Sequence, residues 1–309
     1  MPDLLEEAAA LIILSCFSSS LLLLIPWIEV CKKKGIELPD IHKPGKPMVA
    51  SLGMIPPALV SSIASILISR ASDRPDLMIS GVVPLLSLLI GLVDDEIGLS
   101  HGEKVVLGAL PFLILAPSAR CELFGLELPV WISPAWVALV GTFSSNAVNL
   151  LAGFNGVEAG LSSIASLFLA ASLIEKGDLA GSLVLLSFAS SCMAFLALNF
   201  YPALSFPGNS GTFFMGGFLA SVALITGLNT QLLFLLSPHA LDLLLKLSSW
   251  GRTIRREPSR ISEDGRLLPP PHKSLVGIVL RIRPMREEEL VLVLYLVEVA
   301  SGFVSLFFR

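Results

Sequence analysis

The chain carries one polar stretch between two long apolar runs, Asn146-Ala-Val-Asn-Leu-Leu-Ala-Gly-Phe-Asn-Gly-Val-Glu-Ala-Gly160. Both runs are long enough to cross a membrane, and unpaired polar groups are costly at the ends of such spans. Asn146 and Asn149 are three residues apart, so they share one face of a helix. The glycines allow the backbone to turn and to approach a ligand closely. A hairpin whose asparagines bond neighbouring helices would explain each residue alone, whereas the whole cluster indicates a ligand site.

The composition predicts the class of protein. Of 309 residues, 54% are hydrophobic and only 15% are charged, and the mean hydropathy is +0.80. These values are typical of a polytopic membrane protein and exclude an ordinary soluble domain. The net charge is only −4, and we expect no nucleic-acid partner. Four cysteines lie far apart without a CxxC pair, so neither a zinc site nor a disulfide framework is indicated.

The apolar runs predict an all-α bundle of ten transmembrane helices in a single domain, residues 1–309. An apolar run at residues 211–247 would be roughly 55 Å long as one helix. Because the hydrocarbon core is only ~30 Å thick, we expect two spans hinged at Gly227-Leu228-Asn229. Residues 248–289 form the one long polar loop. The other eight predicted spans cover residues 8–28, 48–69, 77–93, 105–118, 131–152, 157–175, 179–200 and 290–308.

The basic residues predict the orientation of these spans. With ten spans, all but five of the 21 Lys and Arg residues fall in alternate loops, and positive loops face the cytoplasm. The motif-bearing loops, including residues 248–289, then open on the cytoplasmic face of a multi-pass membrane protein. The five exceptions are Arg70, Arg74, Arg120, Lys176 and Arg309.

A pair of acids, Asp94-Asp95, directly follows the third span. Carboxylates at such a position are costly unless they are paired, hydrated or bound to a metal, and Mg²⁺ prefers oxygen ligands of this kind. A hydrated loop with incidental acids is the alternative. Lys104 lies nine residues after Asp95, where its charge could meet a phosphate or simply reach the membrane interface.

A glycine-rich turn, Phe206-Pro-Gly-Asn-Ser-Gly-Thr212, leads into another span. Such turns present backbone N–H groups to anions, although a plain interhelical turn explains the pattern equally well. The long loop is basic, which suits anionic headgroups or a phosphorylated substrate. Its arginines include Arg252, Arg255, Arg256, Arg260 and Arg266.

These motifs together resemble the polyprenyl-phosphate N-acetylhexosamine-1-phosphate transferases, in particular their eukaryotic and archaeal dolichyl-phosphate N-acetylglucosamine-phosphotransferase branch. Residues 146–160 match that branch's N-A-x-N-x-L-A-G-x-N-G-x-E-A-G signature nearly throughout. Asp94-Asp95 and Lys104 have the family spacing, and residues 206–212 match the family's F-x-G-D turn with one change. The similarity covers essentially the whole chain.

The resemblance implies transfer of N-acetylglucosamine 1-phosphate from UDP-N-acetylglucosamine to a polyprenyl (dolichyl) phosphate, with release of UMP. This would be the first step of lipid-linked oligosaccharide assembly for protein N-glycosylation. It implies an archaeal plasma membrane or an endoplasmic reticulum membrane, a cytoplasmic active site, and allows a homodimer. Carried over by position, Asn149 and Asn209 would hold Mg²⁺ on the diphosphate, and Lys104 would contact that diphosphate. Asn155 would bind the uracil ring while Phe206 stacks on it.

The other assignments implied by the resemblance concern the acceptor and the sugar. Asp94 and Asp95 would lie near the attacking lipid phosphate, and Arg256 would contact the sugar or its phosphate. The remaining substrate-binding residues implied are Asn146, Glu158 and Arg255.

Two departures from the family pattern keep other functions open. The metal-binding aspartate of the family is Asn209 here, and the family's His-containing loop motif is matched by Ile254-Arg255-Arg256. An inactive family member retained for assembly is therefore one alternative. A secondary transporter is another, but it predicts related halves with polar breaks near the midplane, and the sequence has no such repeat.

Overall fold

The structure is a computed structural model, and it describes residues 2–43, 45–249 and 259–308. These residues are mainly helical, which confirms the predicted fold class, but they also contain two short antiparallel hairpins that were not predicted. The strands are β1 (Glu37–Pro39), β2 (Met48–Ala50), β3 (Glu122–Leu123) and β4 (Leu126–Glu127). The helices are α1 (Pro2–Lys34), α2 (Ile55–Ala71), α3 (Pro75–Ile97), α4 (His101–Ala109), α5 (Ser133–Leu150), α6 (Val157–Glu175), α7 (Leu179–Asn199), α8 (Gly208–Thr226), α9 (Asn229–Leu235), α10 (Ser237–Ser248), α11 (Leu275–Ile282) and α12 (Glu287–Ser305).

Helix α8 is the axis of the bundle, with every residue from Ser210 to Thr226 buried. Glycines let its backbone touch two neighbouring helices. A Cβ added at Gly216 would lie 2.1 Å from the Ser144 carbonyl oxygen of α5, and one added at Gly91 of α3 would lie 2.5 Å from a carbonyl oxygen of α8. Since apolar burial drives little association between helices inside a membrane, such close backbone approach supplies the packing energy.

Helix α2 begins seven residues later than the predicted span at 48–69. Met48–Ala50 instead pair with β1 as strand β2, and the helix begins where Pro56 and Pro57 fit its first turn. The Ala50 carbonyl oxygen accepts a hydrogen bond from the Phe206 backbone N–H at 2.7 Å. The residues wrongly assigned to the span therefore support the loop before α8.

Two other predicted spans are interrupted. In place of the predicted span 105–118, the structure has the nine-residue helix α4 followed by a 3₁₀ turn, Leu110–Leu115. The α-helix ends there because Pro111 lacks a backbone donor. The hinge predicted at Gly227 is confirmed, since Gly227 ends α8 with φ of 73°. A second break, a 56° bend between α9 and α10, was missed, although Pro238 was its visible signal.

Among the described residues, five helices are long and apolar enough to cross a membrane: α1, α3, α6, α7 and α8; the bent pair α9–α10 could form a sixth span. These helices indicate a multi-pass membrane protein, while the count of ten spans stays a prediction. Helices α3 and α5 end, and α6 and α8 begin, at one end of the bundle, here called the polar end. The described part of the predicted long loop from residue 259 onward also lies there and contains a helix of its own, α11.

The opposite end of the bundle is held by an ion-pair cluster. Arg74, just before α3, pairs with Asp76 at 2.8 Å and with Asp178, just before α7, at 3.1 Å. Arg74 is one of the five basic residues outside the predicted cytoplasmic loops, and here it joins two helix starts.

Single cysteines test which residues share a side of the membrane. We expect Glu96→Cys and Asp264→Cys, both exposed at the polar end, to react with a membrane-impermeant maleimide from one side. Glu127→Cys, exposed in the β3–β4 hairpin, should react from the other side. The variants are made with Cys121→Ser, since Cys121 is partly exposed. Labelling of Glu96→Cys and Asp264→Cys from different sides would contradict this arrangement.

Candidate functional site

A cavity of about 290 Å³ opens at the polar end of the bundle. Its lining comes from the segment after α1, the end of α3, the α5–α6 connection, the end of α7 and the start of α8. Six residues assigned from the sequence meet there although they are spread over more than a hundred positions. They are Asp95, Asn149, Asn155, Glu158, Phe206 and Asn209.

The connection between α5 and α6 is held by side chains that bond its backbone. Gly153 and Gly156 have φ of 112° and 91°, a region that side chains other than glycine rarely adopt. The Gly153 N–H donates to Glu158 Oε1 at 3.0 Å, and the Gly156 N–H donates to Asn199 Oδ1 at 3.1 Å. The Tyr295 hydroxyl donates to the Gly156 carbonyl oxygen at 2.6 Å. Glu158 therefore shapes this loop as well as lining the cavity.

Asn155 is fixed by a buried charged cluster. Its backbone N–H donates to Glu287 Oε1 at 2.7 Å, and its side-chain Nδ2 donates to Asp40 Oδ2 at 3.1 Å. Lys43 forms ion pairs with Asp40 and, at 3.6 Å, with Glu287. It also stands 4.3 Å from the ring centroid of Tyr201. Because a carboxylate only accepts hydrogen bonds, the contact with Asp40 fixes which way the Asn155 amide faces.

His42 and Phe154 form a stacked pair, with ring centroids 4.7 Å apart and an interplanar angle of 11°. Burial is the main cause that lowers the pKa of His42 below its ordinary value, and nearby Asp40 partly opposes it. Burial therefore favours the neutral form of His42. Both residues line this cavity and also a second one, of about 370 Å³, on the side of α10 and α11.

The Asp95 carboxylate binds backbone N–H groups of the turn at residues 206–212. Its Oδ1 accepts the Asn209 N–H at 2.8 Å, and its Oδ2 accepts the Ser210 N–H at 3.0 Å. A carboxylate is favoured here because a helix N-terminus carries partial positive charge. The sequence left open whether this turn presents N–H groups to an anion or is a plain interhelical turn, and in the structure the chain's own carboxylate accepts these two N–H groups.

Three assigned residues lie outside the lining of this cavity. Lys104 Nζ is 2.6 Å from Asp94 Oδ2, and Asp94 Oδ1 accepts the Leu99 N–H at 2.8 Å. The Asn146 amide donates to the Thr142 carbonyl oxygen at 2.8 Å, one turn earlier in α5. Arg255 and Arg256 lie outside the described residues, so their roles stay predictions, as do those of Asp94, Lys104 and Asn146.

The cavity offers oxygen donors that suit Mg²⁺ in kind. Asn149 and Asn209 contribute amide groups and Asp95 contributes a carboxylate, all at the lining of one cavity. Among the described residues there is no group of three or more His, Cys, Asp or Glu that could hold a metal ion alone. The amides of Asn149 and Asn209 and the carboxylate of Asp95 therefore fit Mg²⁺ in the kind of their donor atoms, and a metal site here stays a prediction.

Sequence reasoning missed the residues that support the loop: Asp40, His42, Lys43, Asn199, Glu287 and Tyr295. Asp40 and Lys43 were visible as acid and base three residues apart beyond the first span. Glu287 opens an acidic run, Glu287-Glu288-Glu289, that is typical of a hydrated helix start. Its contact with Asn155 spans 132 positions, which no local pattern reveals.

The fold and the cavity define a multi-pass membrane protein with a polar site at one end of its helix bundle. The family model described as glycosyl transferase family 4 matches residues 77–227. The chain belongs to this family. The matched residues include residues 146–160, the two acids, Lys104 and the turn before α8.

Archaeal relatives align over most of the chain. A protein of Methanocaldococcus jannaschii, provisionally named a glycosyltransferase, is 34% identical over 86% of this chain and 86% of its own length. A Sulfolobus acidocaldarius protein is 30% identical over 91% of this chain and 90% of its own. It is provisionally named UDP-N-acetylglucosamine–dolichyl-phosphate N-acetylglucosaminephosphotransferase. A phospho-N-acetylmuramoyl-pentapeptide-transferase of Acaryochloris marina is 32% identical over 63% of this chain and 57% of its own length.

Glu287→Gln tests the cluster around Asn155. The substitution removes one of the two carboxylate charges that pair with Lys43 while keeping the shape of the side chain. We expect a loss of roughly 2 kcal/mol of stability, since a buried hydrogen bond to a charged group contributes about that much. The change is measured by thermal melting in detergent. Glu288→Gln is the matched control, and equal melting of both variants would contradict the role of Glu287.

Proposed function

We propose that this protein transfers N-acetylglucosamine 1-phosphate from UDP-N-acetylglucosamine to a polyprenyl phosphate, with release of UMP. The observation that carries the proposal is the convergence of Asp95, Asn149, Asn155, Phe206 and Asn209 on one cavity at the end of a helix bundle. A site at this position can meet a water-soluble nucleotide and a lipid phosphate at the same time. The names of the archaeal relatives support the same substrates.

The reaction is a phosphoryl transfer. An oxygen of the lipid phosphate attacks the phosphorus that bears the sugar, and the bond from that phosphorus to the oxygen of UMP breaks. A lipid phosphate is already largely ionised near neutral pH, so no strong general base is needed. Catalysis then depends on positioning and on neutralising charge.

The chain's residues divide these tasks. Asn155, held by Asp40 and Glu287, would bind the uracil ring, and Phe206 would stack on it. Asn149 and Asn209 would hold Mg²⁺, which when bound neutralises charge on the diphosphate.

The charged pair beyond the cavity would serve both substrates, with Asp94 near the lipid phosphate and Lys104 at the diphosphate of the nucleotide sugar. Lys104, which pairs with Asp94, would exchange this carboxylate partner for the diphosphate of the nucleotide sugar. Such an exchange favours binding because an ammonium attracts a phosphate as a point charge.

The proposal extends to the setting of the reaction. The distribution of basic residues supports a cytoplasmic site, and the product would begin a lipid-linked oligosaccharide. A transporter would place its binding site near the midplane between repeated halves, whereas this cavity lies at one end of the bundle.

Release of UMP by the purified protein tests the reaction. With UDP-N-acetylglucosamine, dolichyl phosphate and Mg²⁺, we expect UMP and a lipid-linked sugar diphosphate in equal amounts. Omission of the lipid phosphate should abolish UMP release, which separates transfer from hydrolysis. UDP-N-acetylgalactosamine and UDP-glucose, supplied in parallel, identify the preferred sugar. Absence of UMP with every donor would refute the proposed activity and favour an inactive family member.

Asn209→Asp tests the assignment of Asn209 as a metal ligand. A neutral amide can ligate Mg²⁺ but brings no charge, and Mg²⁺ sites usually hold one or two carboxylates. We expect the aspartate variant to need several-fold less Mg²⁺ for half-maximal UMP release, because an added charge of this kind is worth on the order of 1 kcal/mol. If Asn209 only supports the start of α8, aspartate would serve as well, and an unchanged Mg²⁺ titration would refute the assignment.

A further inference from the structure

A buried ion pair lies beside the end of α5, in the wall of the second cavity. Lys246 and Asp242 are one turn apart on α10, with their charged atoms 2.6 Å apart. The Asp242 side chain is 0% exposed and that of Lys246 is 16% exposed. None of the motifs that define the proposed reaction includes this pair, and buried charges are costly unless a specific arrangement satisfies them.

Both members of the pair also bond the backbone of another element. Lys246 Nζ donates to the Leu150 carbonyl oxygen at 2.5 Å, and Leu150 is the last residue of α5. Asp242 Oδ1 accepts the N–H of Leu275, the first residue of α11, at 2.8 Å. One ion pair thus joins α10 to the end of α5 and to the start of α11.

The contact with Leu150 has a physical reason. The last carbonyl groups of a helix lack partners within the helix and carry partial negative charge. A lysine ammonium there satisfies one carbonyl and interacts favourably with the helix dipole. The residue before Leu150 is Asn149, and the loop with the Gly153 turn follows within three residues, so this contact fixes the helix end from which the cavity lining projects.

We propose that Lys246 is a positioning residue of the proposed transferase: with Asp242 as its counterion, it holds the end of α5 so that Asn149 and the loop after it keep their places in the cavity. The effect that we expect on the KM for the nucleotide sugar rests on the proposed function. The contact by which Lys246 holds the end of α5 does not rest on it. Lys246 acts through the Leu150 carbonyl and needs no contact with a substrate.

The test uses a double variant, because Lys246→Met alone would leave Asp242 as an uncompensated buried charge and destabilise the fold. Asp242→Asn combined with Lys246→Met removes both charges and keeps an amide oxygen that can accept the Leu275 N–H. Lys246→Arg preserves a donor and a charge. Lys273→Met is the control, since Lys273 is exposed in the neighbouring loop.

Two measurements are made on each full-length variant in detergent. Hydrogen–deuterium exchange of peptides covering residues 146–155 should become about tenfold faster in the double variant, because local opening depends on such contacts. The KM for UDP-N-acetylglucosamine should rise about tenfold, since small misplacements of a site cost at least that much. The KM for dolichyl phosphate should stay within about twofold. Lys246→Arg and Lys273→Met should behave as the wild-type protein does.

The outcomes separate this proposal from the proposed function. Unchanged exchange in the double variant overturns the proposal. Faster exchange with an unchanged KM for the nucleotide sugar also overturns it, because Lys246 would then hold the end of α5 without positioning the site. A lower melting temperature with unchanged exchange and KM assigns the pair to stability alone. If the wild-type protein releases no UMP, the proposed function fails, and the exchange measurement still decides whether Lys246 holds the end of α5.

Discussion

The arrangement of the site depends on the buried ion pairs of Lys43 with Asp40 and Glu287. Each charge would be strongly disfavoured in this environment without its partners. The three residues come from the segment after α1 and from the start of α12, and both carboxylates bond Asn155 in the α5–α6 loop. If one of these side chains moved away, the charge of its partner would be left buried without compensation. The cluster therefore favours one arrangement of three distant parts of the chain.

A comparable constraint holds α3 against α8. The Asp95 carboxylate accepts two N–H groups at the start of α8, and Gly91, one turn earlier in α3, allows the two backbones to approach. A movement of α3 along α8 would therefore separate Asp95 from Asn209 and strain the packing at Gly91. Since α8 is buried from Ser210 to Thr226, the cavity wall at its start is anchored in the core of the bundle.

The sequence predicted the features that depend on local patterns. The bounds of α6 agree with the predicted span because an apolar run lies between Gly156 and Gly177, and the hinge at Gly227 agrees because glycine permits a positive φ. Six of the residues assigned from motifs line the cavity, whereas Asp94, Lys104 and Asn146 lie outside its lining. The predicted start of the second span was wrong because hydropathy does not distinguish a short strand at residues 48–50 from a helix. The supporting residues Asp40 and Glu287 were missed because they act through contacts that only the fold creates.

Some polar groups at the cavity bond other parts of the chain, and others are left to contact a ligand. This division determines the charge that a bound ligand would meet. Among the carboxylates at its lining, Asp40 is compensated by Lys43, Glu158 bonds the Gly153 N–H, and Asp95 bonds the start of α8. The residues left to meet a ligand include the neutral amides of Asn149 and Asn209. These amides bring polar atoms to the lining without adding negative charge that would repel a diphosphate. Preorganised dipoles stabilise charge without reorganising, and the ion pairs of Lys43 with Asp40 and Glu287 hold one such dipole, the Asn155 amide, in place.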